Sequence, residues 1–373
     1  MLLDSGNEVI LIDKVNPLQQ KIKRYQFIYY TGMFGLGRLP FRKAHSLGNW
    51  LQAARLRLVW RRIRPDIVHV HWIDMRAYQC ALAGIHPLML TCWGSDINNF
   101  FETNHEDDDS RQRTFKALLA ADCITADTDE VLERCELLAG RKLKTSLFYF
   151  GIDLEKFKAE NNALGASLLK DKYKIPSNSR VVLSIRRLVP MMGHHHILRA
   201  FASMAAQTNE KLVLLLHHYL GKDEDYEQKL RDLAVDLGIS HHIVWLDNIA
   251  DEEMPALYAL ADLVVNFPDY DGLPVSLFEA AASKKPVITN NLPAYRQILS
   301  QGAFTIVNPG DPSQLAGAML KVLGTSKEEL ESQYEVNYAL MVRIADQRQC
   351  IRKMNQLYSD MVKIVNHAPS QVN

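Results

Sequence analysis

Residues 270–298 read "YDGLPVSLFEAAASKKPVITNNLPAYRQI" and place two acids, Asp271 and Glu279, eight positions apart across a Gly-Pro turn. An apolar run at 263–267 precedes this stretch, and a second run at 286–290, led by proline, lies within it. This order of apolar run, turn, small-residue segment and apolar run predicts a strand, a loop, a helix and a second strand of a parallel sheet. The stretch therefore indicates an α/β fold in which both acids lie close to the loop after a strand.

The loop and the start of the helix indicate the kind of ligand that would bind there. The unpaired amides and partial positive charge of a helix N-terminus favour a phosphate or another anion. Glu279, about one turn into the helix, is an acceptor-only carboxylate that suits vicinal hydroxyls such as those of a ribose. Asp271, in the loop, suits the hydroxyls of a second, attached sugar. The segment therefore predicts a site for a nucleotide sugar.

The same alternation extends over most of the chain. Short apolar runs rich in branched or aromatic residues alternate with helical patterns, which predicts parallel sheets covered by helices. The runs interpreted as strands are residues 8–13, 66–72, 87–93, 123–127, 145–151, 181–185, 211–218, 242–247, 263–267, 286–290 and 304–308. A polar interruption at 161–179 separates two sets of runs. We therefore predict two doubly wound α/β domains joined near residues 151–160, with ligands at the carboxyl ends of the strands and two such edges facing across a cleft.

Composition limits the class of protein. The chain has 373 residues, 47% of them apolar, which is enough for two cores. The sequence contains no uninterrupted apolar run of about 18 residues, and "MLLDSGNEVILID" lacks the pattern of a secretory signal. The five cysteines are an odd number without a Cys-x-x-Cys pair, which favours reduced thiols over disulfides or a zinc site. These features predict a cytoplasmic protein.

Residues 14–65 have an unusual charge pattern. They contain twelve Lys or Arg residues and no acid, with eight aromatic residues among them. This composition predicts contact with an anionic surface, and the aromatic rings favour lipid headgroups at the inner face of the cytoplasmic membrane. For residues 47–63 alone, the solvated face of an ordinary helix is an equal alternative. A nucleic-acid partner is a more distant alternative because no recognised nucleic-acid module accompanies the basic residues.

Six further segments accompany the acid pair. They are "RPDIVHVHW" (64–72), "TCWGSDI" (91–97), "FGIDLEKF" (150–157), "SIRRLVPMMGHHHILRAF" (184–201), "IADEEMPALYALADLVV" (249–265) and "VNPGDPSQLAGAM" (307–319). In this order the chain resembles the retaining glycosyltransferases of family 4, whose signature is an acid, seven residues and a glutamate. The first acid is usually Glu in that family and is Asp271 here. The resemblance covers most of the chain from residue 64 to about 320 and implies the GT-B fold of two facing Rossmann-like domains.

The resemblance implies roles for the two acids and their loop. It implies that Glu279 binds the nucleotide ribose and that Asp271 contacts the donor sugar. It also places the backbone of the intervening loop close to the sugar or the phosphates. The loop residues concerned are Gly272, Leu273, Pro274 and Val275.

The resemblance also concerns the cations around the diphosphate, in "RRLVPMMG" (186–193). The family has an Arg and a Lys here that clamp the diphosphate. Arg187 takes the first role, whereas Met192 stands at the position of the Lys. Arg186 would supply charge nearby, although a strand neighbour of Arg187 would point to the opposite face.

On the acceptor side the sequence departs from the family. Trp93 stands where a His is frequent, which leaves Asp96 and the strand-end His71 as the polar candidates. A lone strand-end His is also typical of a packed, hydrogen-bonded residue. The opening residues match the part of the family that follows its first helix, so the first strand and the Gly-rich loop are not in the sequence. We expect either a start upstream of Met1 or a site that lacks this part.

The predicted division of the chain follows from these matches. Residues 1–150 form the acceptor-side domain with an incomplete start, 151–345 the nucleotide-sugar domain, and 346–373 a C-terminal helix and tail that pack back on the first domain. We expect no metal or other cofactor, because GT-B enzymes of this kind hold the diphosphate with protein cations. The run "HHH" (194–196) cannot aim three rings at one ion, because successive helical residues are about 100° apart.

The preferred function is sugar transfer, with retention, from a UDP- or GDP-linked donor to a glycan or lipid-linked acceptor in cell-surface polysaccharide or glycolipid synthesis. The catalytic candidates are Arg187, Asp271, Asp96 and His71. A catalytically weak GT-B protein that acts as a binding or scaffold subunit is the alternative, because of Met192, Trp93 and the missing loop. A GT-B epimerase of nucleotide sugars shares the fold but not this set of motifs.

Overall fold

The computed structural model describes residues 10–13, 26–29, 41–102, 108–217, 223–246 and 249–367. These residues form two compact units. The first extends to Phe148 and includes the residues from Cys350 onward, and the second extends from Tyr149 to Gln349. Both units are α/β, as the alternation of strand and helix patterns predicts.

The first unit contains two parallel sheets. Its strands are Ile10–Asp13 (β1), Gln26–Tyr29 (β2), Val68–His71 (β3), Leu88–Thr91 (β4), Cys123–Ala126 (β5) and Thr145–Leu147 (β6). Its helices are Phe41–Ile63 (α1), Met75–Leu82 (α2), Ser95–Glu102 (α3), Asp108–Ala120 (α4) and Asp129–Ala139 (α5). Strands β3, β4, β5 and β6 pair in this order, and β1 pairs with β2. In the described ranges, no helix has both the length and the apolar character needed to cross a membrane.

The second unit is built on one six-stranded parallel sheet. Its strands are Ser179–Ser184 (β7), Lys211–His217 (β8), Ile243–Leu246 (β9), Leu263–Asn266 (β10), Val287–Asn290 (β11) and Thr305–Val307 (β12). Its helices are Ala163–Lys172 (α6), His194–Ala205 (α7), Glu224–Asp236 (α8), Met254–Leu260 (α9), Val275–Ala282 (α10), Arg296–Leu299 (α11), Pro312–Gly324 (α12) and Lys327–Ile344 (α13). The last helix, Gln347–His367 (α14), begins at the end of this unit and continues in the first.

The central strands of the six-stranded sheet are buried on both faces. Every residue of β10 and β11 is buried, and separate apolar clusters lie on the two sides of the sheet. One cluster includes residues of α9 and α10, and the other includes residues of α7 and α12. Burial on both faces explains why these strands are continuous apolar runs without alternation.

The order of the strands fixes where a ligand can bind. The strand order is β12-β11-β10-β7-β8-β9. The first strand of this unit in chain order, β7, is therefore central, with β8 and β9 following on one side and β10, β11 and β12 on the other. The point of reversal lies between β7 and β10, which are neighbours. In open α/β sheets the carboxyl ends of the strands at such a point form the ligand crevice. The loop with Arg186 and Arg187 follows β7, and the loop with Asp271 follows β10.

Candidate active site

A close backbone approach holds the two loops at the reversal point together. Gly193 has a φ of +67°, and a Cβ at this position would lie 2.0 Å from the carbonyl oxygen of Phe267. Only glycine fits this approach, because any side chain would meet the backbone at the end of β10. The amide of Asp269 donates to the carbonyl of Met191 at 2.8 Å. The loop after β7 is thereby fixed against the loop after β10.

Asp271 lies at the centre of a hydrogen-bonded network. Its Oδ2 accepts from Arg186 Nη2 at 2.5 Å and from the Tyr295 hydroxyl at 2.8 Å. Its side chain is only 12% exposed and that of Arg186 16%, so the ion pair is largely removed from water. Burial raises the pKa of Asp271, while the Arg186 charge, the Tyr295 hydroxyl and the Gly272 amide act in the opposite direction. The carboxylate is therefore held in place by donors, in a setting that resists its ionisation.

Glu279 is held by different partners from those of Asp271. It lies in α10, the helix whose N-terminus follows the Asp271 loop. Its Oε2 accepts from the hydroxyl of the fully buried Tyr258 at 2.8 Å. Burial raises the pKa of Glu279, and the Tyr258 hydroxyl lowers it. Helix α10 begins at Val275 directly after Pro274, so the carboxylate of Glu279 lies about one turn from the amides at the start of the helix. This arrangement offers both an anion site and a hydroxyl acceptor.

The loop residues predicted to lie near the donor differ in exposure. Leu273 and Pro274 are buried, whereas Gly272 and Val275 are partly exposed. The backbone of the loop rather than the Leu273 or Pro274 side chains is therefore the part available to a ligand.

The position of Arg186 corrects one expectation from the sequence. The expectation treated Arg186 and Arg187 as strand neighbours on opposite faces, but β7 ends at Ser184 and both arginines lie in the loop beyond it. Because the two arginines are not in a strand, their side chains need not point to opposite faces. Arg186 donates to Asp271 and also, from Nη1, to Ser276 Oγ at 3.3 Å. Arg187 is exposed, and its charge still acts on Asp271.

Met192 is buried beside the same guanidinium. It is 3% exposed, and Arg186 Nε donates to its thioether sulfur at 3.4 Å. A guanidinium therefore adjoins the position at which the resemblance implies a lysine. The loop after β7 still brings two cations, Arg186 and Arg187, to the region of Asp271.

Two tyrosines that were not among the residues predicted from the sequence support the acids. Tyr295 is fully buried, donates to Asp271 and accepts from Asn266 Nδ2 at 3.1 Å. Tyr295 lies within the quoted stretch "NLPAYRQI", and Tyr258 lies in "PALYALADLVV" before β10. A tyrosine in an otherwise apolar run carries a hydroxyl that needs a partner when buried, and this was the available signal.

The acceptor-side candidates lie in the first unit. His71 is exposed at the end of β3, with its ring 4.2 Å from that of His69 and 6.0 Å from that of Trp93. Asp96 is buried, and its two oxygens accept from the amides of Ile73 and Trp93 at 2.8 and 3.0 Å. Asp96 therefore ties together the loops that follow β3 and β4, and burial raises its pKa to about 6.

His69 explains how the end of β3 is supported. Its ring bonds Thr91 Oγ1 at 2.6 Å and the hydroxyl of Tyr358 on α14 at 2.7 Å. Burial, with a contribution from His71, lowers the pKa of His69 to about 3. His69 is thus a neutral, fully hydrogen-bonded residue on which the exposed His71 stacks.

Comparison with known families accounts for most of the chain. Residues 167–337 match the family described as "Glycosyl transferases group 1", and residues 2–128 match that described as "Glycosyl transferase 4-like". Residues 167–337 therefore form a domain of the group 1 glycosyl transferases, and the chain has the GT-B fold of the solved structures to which it is similar.

Individual relatives are more distant and are matched over part of their length. The chain is 25% identical to the D-inositol 3-phosphate glycosyltransferase of Corynebacterium urealyticum over 62% of this chain and 56% of that one. It is 29% identical to a GDP-mannose-dependent alpha-(1-6)-phosphatidylinositol monomannoside mannosyltransferase of Mycobacterium tuberculosis over 38% and 36% of the two chains. The chain thus spans about half the length of the curated relatives it matches. The solved structure of Anabaena Alr3699/HepE with UDP and glucose has a TM-score of 0.75 at 17% identity and covers 94% of this chain and 91% of that one.

Proposed function

We propose that the protein transfers a sugar, with retention of anomeric configuration, from a nucleotide-sugar donor to a glycan or lipid-linked acceptor. The single observation that carries this proposal is the pair of supported acids beside the start of α10. Asp271 is held by Arg186 and Tyr295, and Glu279 by Tyr258, so both carboxylates are positioned before any ligand binds. Such preorganisation is what a site for a hydroxyl-rich, anionic ligand requires.

The proposed reaction exchanges one bond at the anomeric carbon for another. The bond from this carbon to the donor phosphate oxygen breaks, and a bond to the acceptor hydroxyl oxygen forms on the same face of the sugar. The departing phosphate takes the acceptor proton. Arg187 and the amides at the start of α10 stabilise the charge that develops on the leaving diphosphate, while Glu279 and Asp271 hold ribose and sugar. The reaction in this form uses no metal ion.

We infer the class of donor and acceptor from the same chemistry. A uridine or guanosine diphosphate sugar supplies both the anion and the hydroxyls that this site suits, and among similar proteins one is named for GDP-mannose and another was solved with UDP. On the acceptor side we propose His71 and Asp96 as the polar groups nearest the acceptor hydroxyl, with Asp96 acting through the loops that it ties together.

A lipid-linked acceptor would require contact with a membrane surface. Most of residues 14–40 lies outside the described residues, but α1 is described and bears Arg55, Arg57, Arg61 and Arg62 on its exposed surface. Trp50 and Leu58 on the same helix are 63% and 66% exposed. We propose that this combination of cations with exposed apolar side chains holds the protein peripherally at the cytoplasmic face of an anionic membrane.

A catalytically weak binding subunit is the second candidate, and the burial of Met192 is the observation that favours it. Arg186 beside Met192 is paired with Asp271, so if Arg187 alone serves the diphosphate, the leaving group is less stabilised and turnover falls. Incubation with UDP- and GDP-sugars and an acceptor distinguishes the two functions, because a transferase releases nucleoside diphosphate. NMR of the product then gives its anomeric configuration. A binding subunit would hold the nucleotide sugar without turnover.

Glu279→Ala tests the donor site directly. Loss of a charge-assisted contact of about 2 kcal/mol corresponds to about 30-fold weaker donor binding by calorimetry. Glu252→Ala, at an exposed position, is the matched control and should bind normally. Unchanged affinity in Glu279→Ala would rule out the ribose contact.

A further inference from the structure

Two histidines and one aspartate form a cluster next to the loop contact described above. His195 and His196 lie in the first turn of α7, and Asp269 lies in the loop after β10. His196 Nε2 is 3.2 Å from Asp269 Oδ1, and one potential ligand atom from each of the three residues lies within 4.8 Å of the others. Within the described part of the chain, this is the one group of three or more His, Cys, Asp or Glu side chains close enough to share an ion.

We propose that this His–Asp cluster binds a divalent transition metal ion such as Zn²⁺, separately from the sugar-transfer reaction. Imidazole nitrogen and carboxylate oxygen are ligands that Zn²⁺ accepts, and three protein ligands leave one position for water. Asp269 is 43% exposed and His196 19%, so the ion can enter from solvent. This proposal does not depend on the proposed function.

The hydrogen bond of His195 suits a metal ligand. Its Nδ1 lies 2.9 Å from the hydroxyl of Tyr226, which also accepts from the His195 backbone amide at 3.3 Å. In the tautomer whose Nδ1–H donates to Tyr226, the lone pair of Nε2 remains for an ion. Metal-binding histidines are commonly oriented by such a bond from the second ring nitrogen.

The structure refines the expectation that "HHH" cannot surround one ion. His194, the first of the three, is fully buried and is not a member of the cluster. The rings of the other two have centroids 4.0 Å apart. Asp269 comes from a distant part of the chain, so the site uses two neighbouring rings and a carboxylate rather than three consecutive rings.

The backbone around the cluster is already fixed. Gly193 precedes α7 and packs against the carbonyl of Phe267, while the Asp269 amide bonds Met191. A bound ion would therefore join α7 to the loop that carries Asp271, two residues after Asp269, without a rearrangement of the chain. Its expected effect is a tighter link between these two segments.

The test is calorimetric titration of the untagged full chain with ZnCl₂ in chelator-stripped buffer. We expect one equivalent to bind saturably to the cluster, and Co²⁺ in its place to give visible absorption bands. His196→Asn and Asp269→Asn each remove one ligand and should weaken binding about 10-fold or more. Tyr226→Phe keeps all three ligands but removes the supporting hydroxyl, and should weaken binding about 10- to 100-fold.

His241 and His242 supply the matched control. These adjacent histidines have ring centroids 4.1 Å apart, much like the cluster pair, but His242 Nδ1 bonds the Leu212 carbonyl and no acid joins them in the described residues. His241→Asn, at an exposed position, should bind Zn²⁺ as the wild type does. Absence of saturable binding, or equal affinity in Asp269→Asn and the wild type, would overturn the proposal.

Discussion

Replacement of Arg186 should mainly lower the stability of the protein, whereas replacement of Arg187 should mainly lower its affinity for nucleotide. Arg186 forms a 2.5 Å ion pair with Asp271 in which both side chains are less than one-fifth exposed. In Arg186→Met the Asp271 charge stays buried without this partner, which typically costs about 3–5 kcal/mol of the free energy of unfolding. Arg187 is exposed, so Arg187→Ala should change that free energy by about 0.5 kcal/mol or less. Arg187→Ala should instead bind nucleotide about 10- to 150-fold more weakly, because it loses a charge-assisted contact of about 1.5–3 kcal/mol.

The pH dependence gives a second signature of the Arg186 variant. Burial already raises the pKa of Asp271, and removal of the guanidinium raises it further. Because the folded pKa then lies further above the unfolded value, the folded protein binds more protons than the unfolded one between the two values. The stability of Arg186→Met relative to wild type should therefore fall as the pH rises from the folded pKa of Asp271 in wild type to its higher folded pKa in the variant. In Arg186→Met/Asp271→Asn most of the loss should disappear, because neither position of the pair then carries a charge.

Urea unfolding across a pH series measures these effects. Trp245 is the one tryptophan of the second unit, so ¹⁹F NMR of protein labelled with fluorotryptophan reports on this unit through a single assignable signal. Nucleotide titration of the same samples measures affinity. Equal destabilisation by the two single replacements, or an Arg186→Met variant with no pH dependence relative to wild type, would refute the assignment of Arg186 as the partner of buried Asp271.

Three other replacements test the surroundings of the site and the membrane contact. Tyr295→Phe removes one donor to Asp271 and one acceptor of Asn266, and should lower the free energy of unfolding by about 1–3 kcal/mol; an unchanged urea midpoint would contradict the network. Met192→Lys should destabilise the protein because it buries a second cation against Arg186. The double replacement Arg186→Met/Met192→Lys leaves one cation there and should recover part of the lost stability, and thermal unfolding of both variants measures this. Trp50→Ser/Leu58→Ser should reduce sedimentation with anionic vesicles. Wild-type protein should be released from these vesicles at about 0.5 M salt. Vesicle binding that is insensitive to salt would argue against the electrostatic contact.

The fold could be predicted from the sequence because its strands are continuous apolar runs. "LVVNF" and "PVITN" became β10 and β11, and burial on both faces is what makes such runs recognisable. The direction of Arg186 could not be predicted, because it depends on where β7 ends, and one residue of strand more or less changes the face to which a side chain points. The cluster of His195, His196 and Asp269 was equally hidden, because the two histidines lie about seventy positions from Asp269 in the sequence. They meet through the contact of Gly193 with Phe267 and the hydrogen bond of the Asp269 amide to Met191.

The hydrogen bonds already made by the two acids argue for a division of labour between them. An ionised carboxylate has about four acceptor positions. Asp271 uses three of them on Arg186, Tyr295 and the Gly272 amide, so one position remains for a ligand hydroxyl. Glu279 accepts one described hydrogen bond, from Tyr258, and keeps enough capacity for a pair of vicinal hydroxyls. Within the proposed function, Glu279 is therefore the acid suited to a ribose diol. Asp271 is suited to a single hydroxyl of the donor sugar, and it can select that hydroxyl by position because its supporting donors fix its orientation.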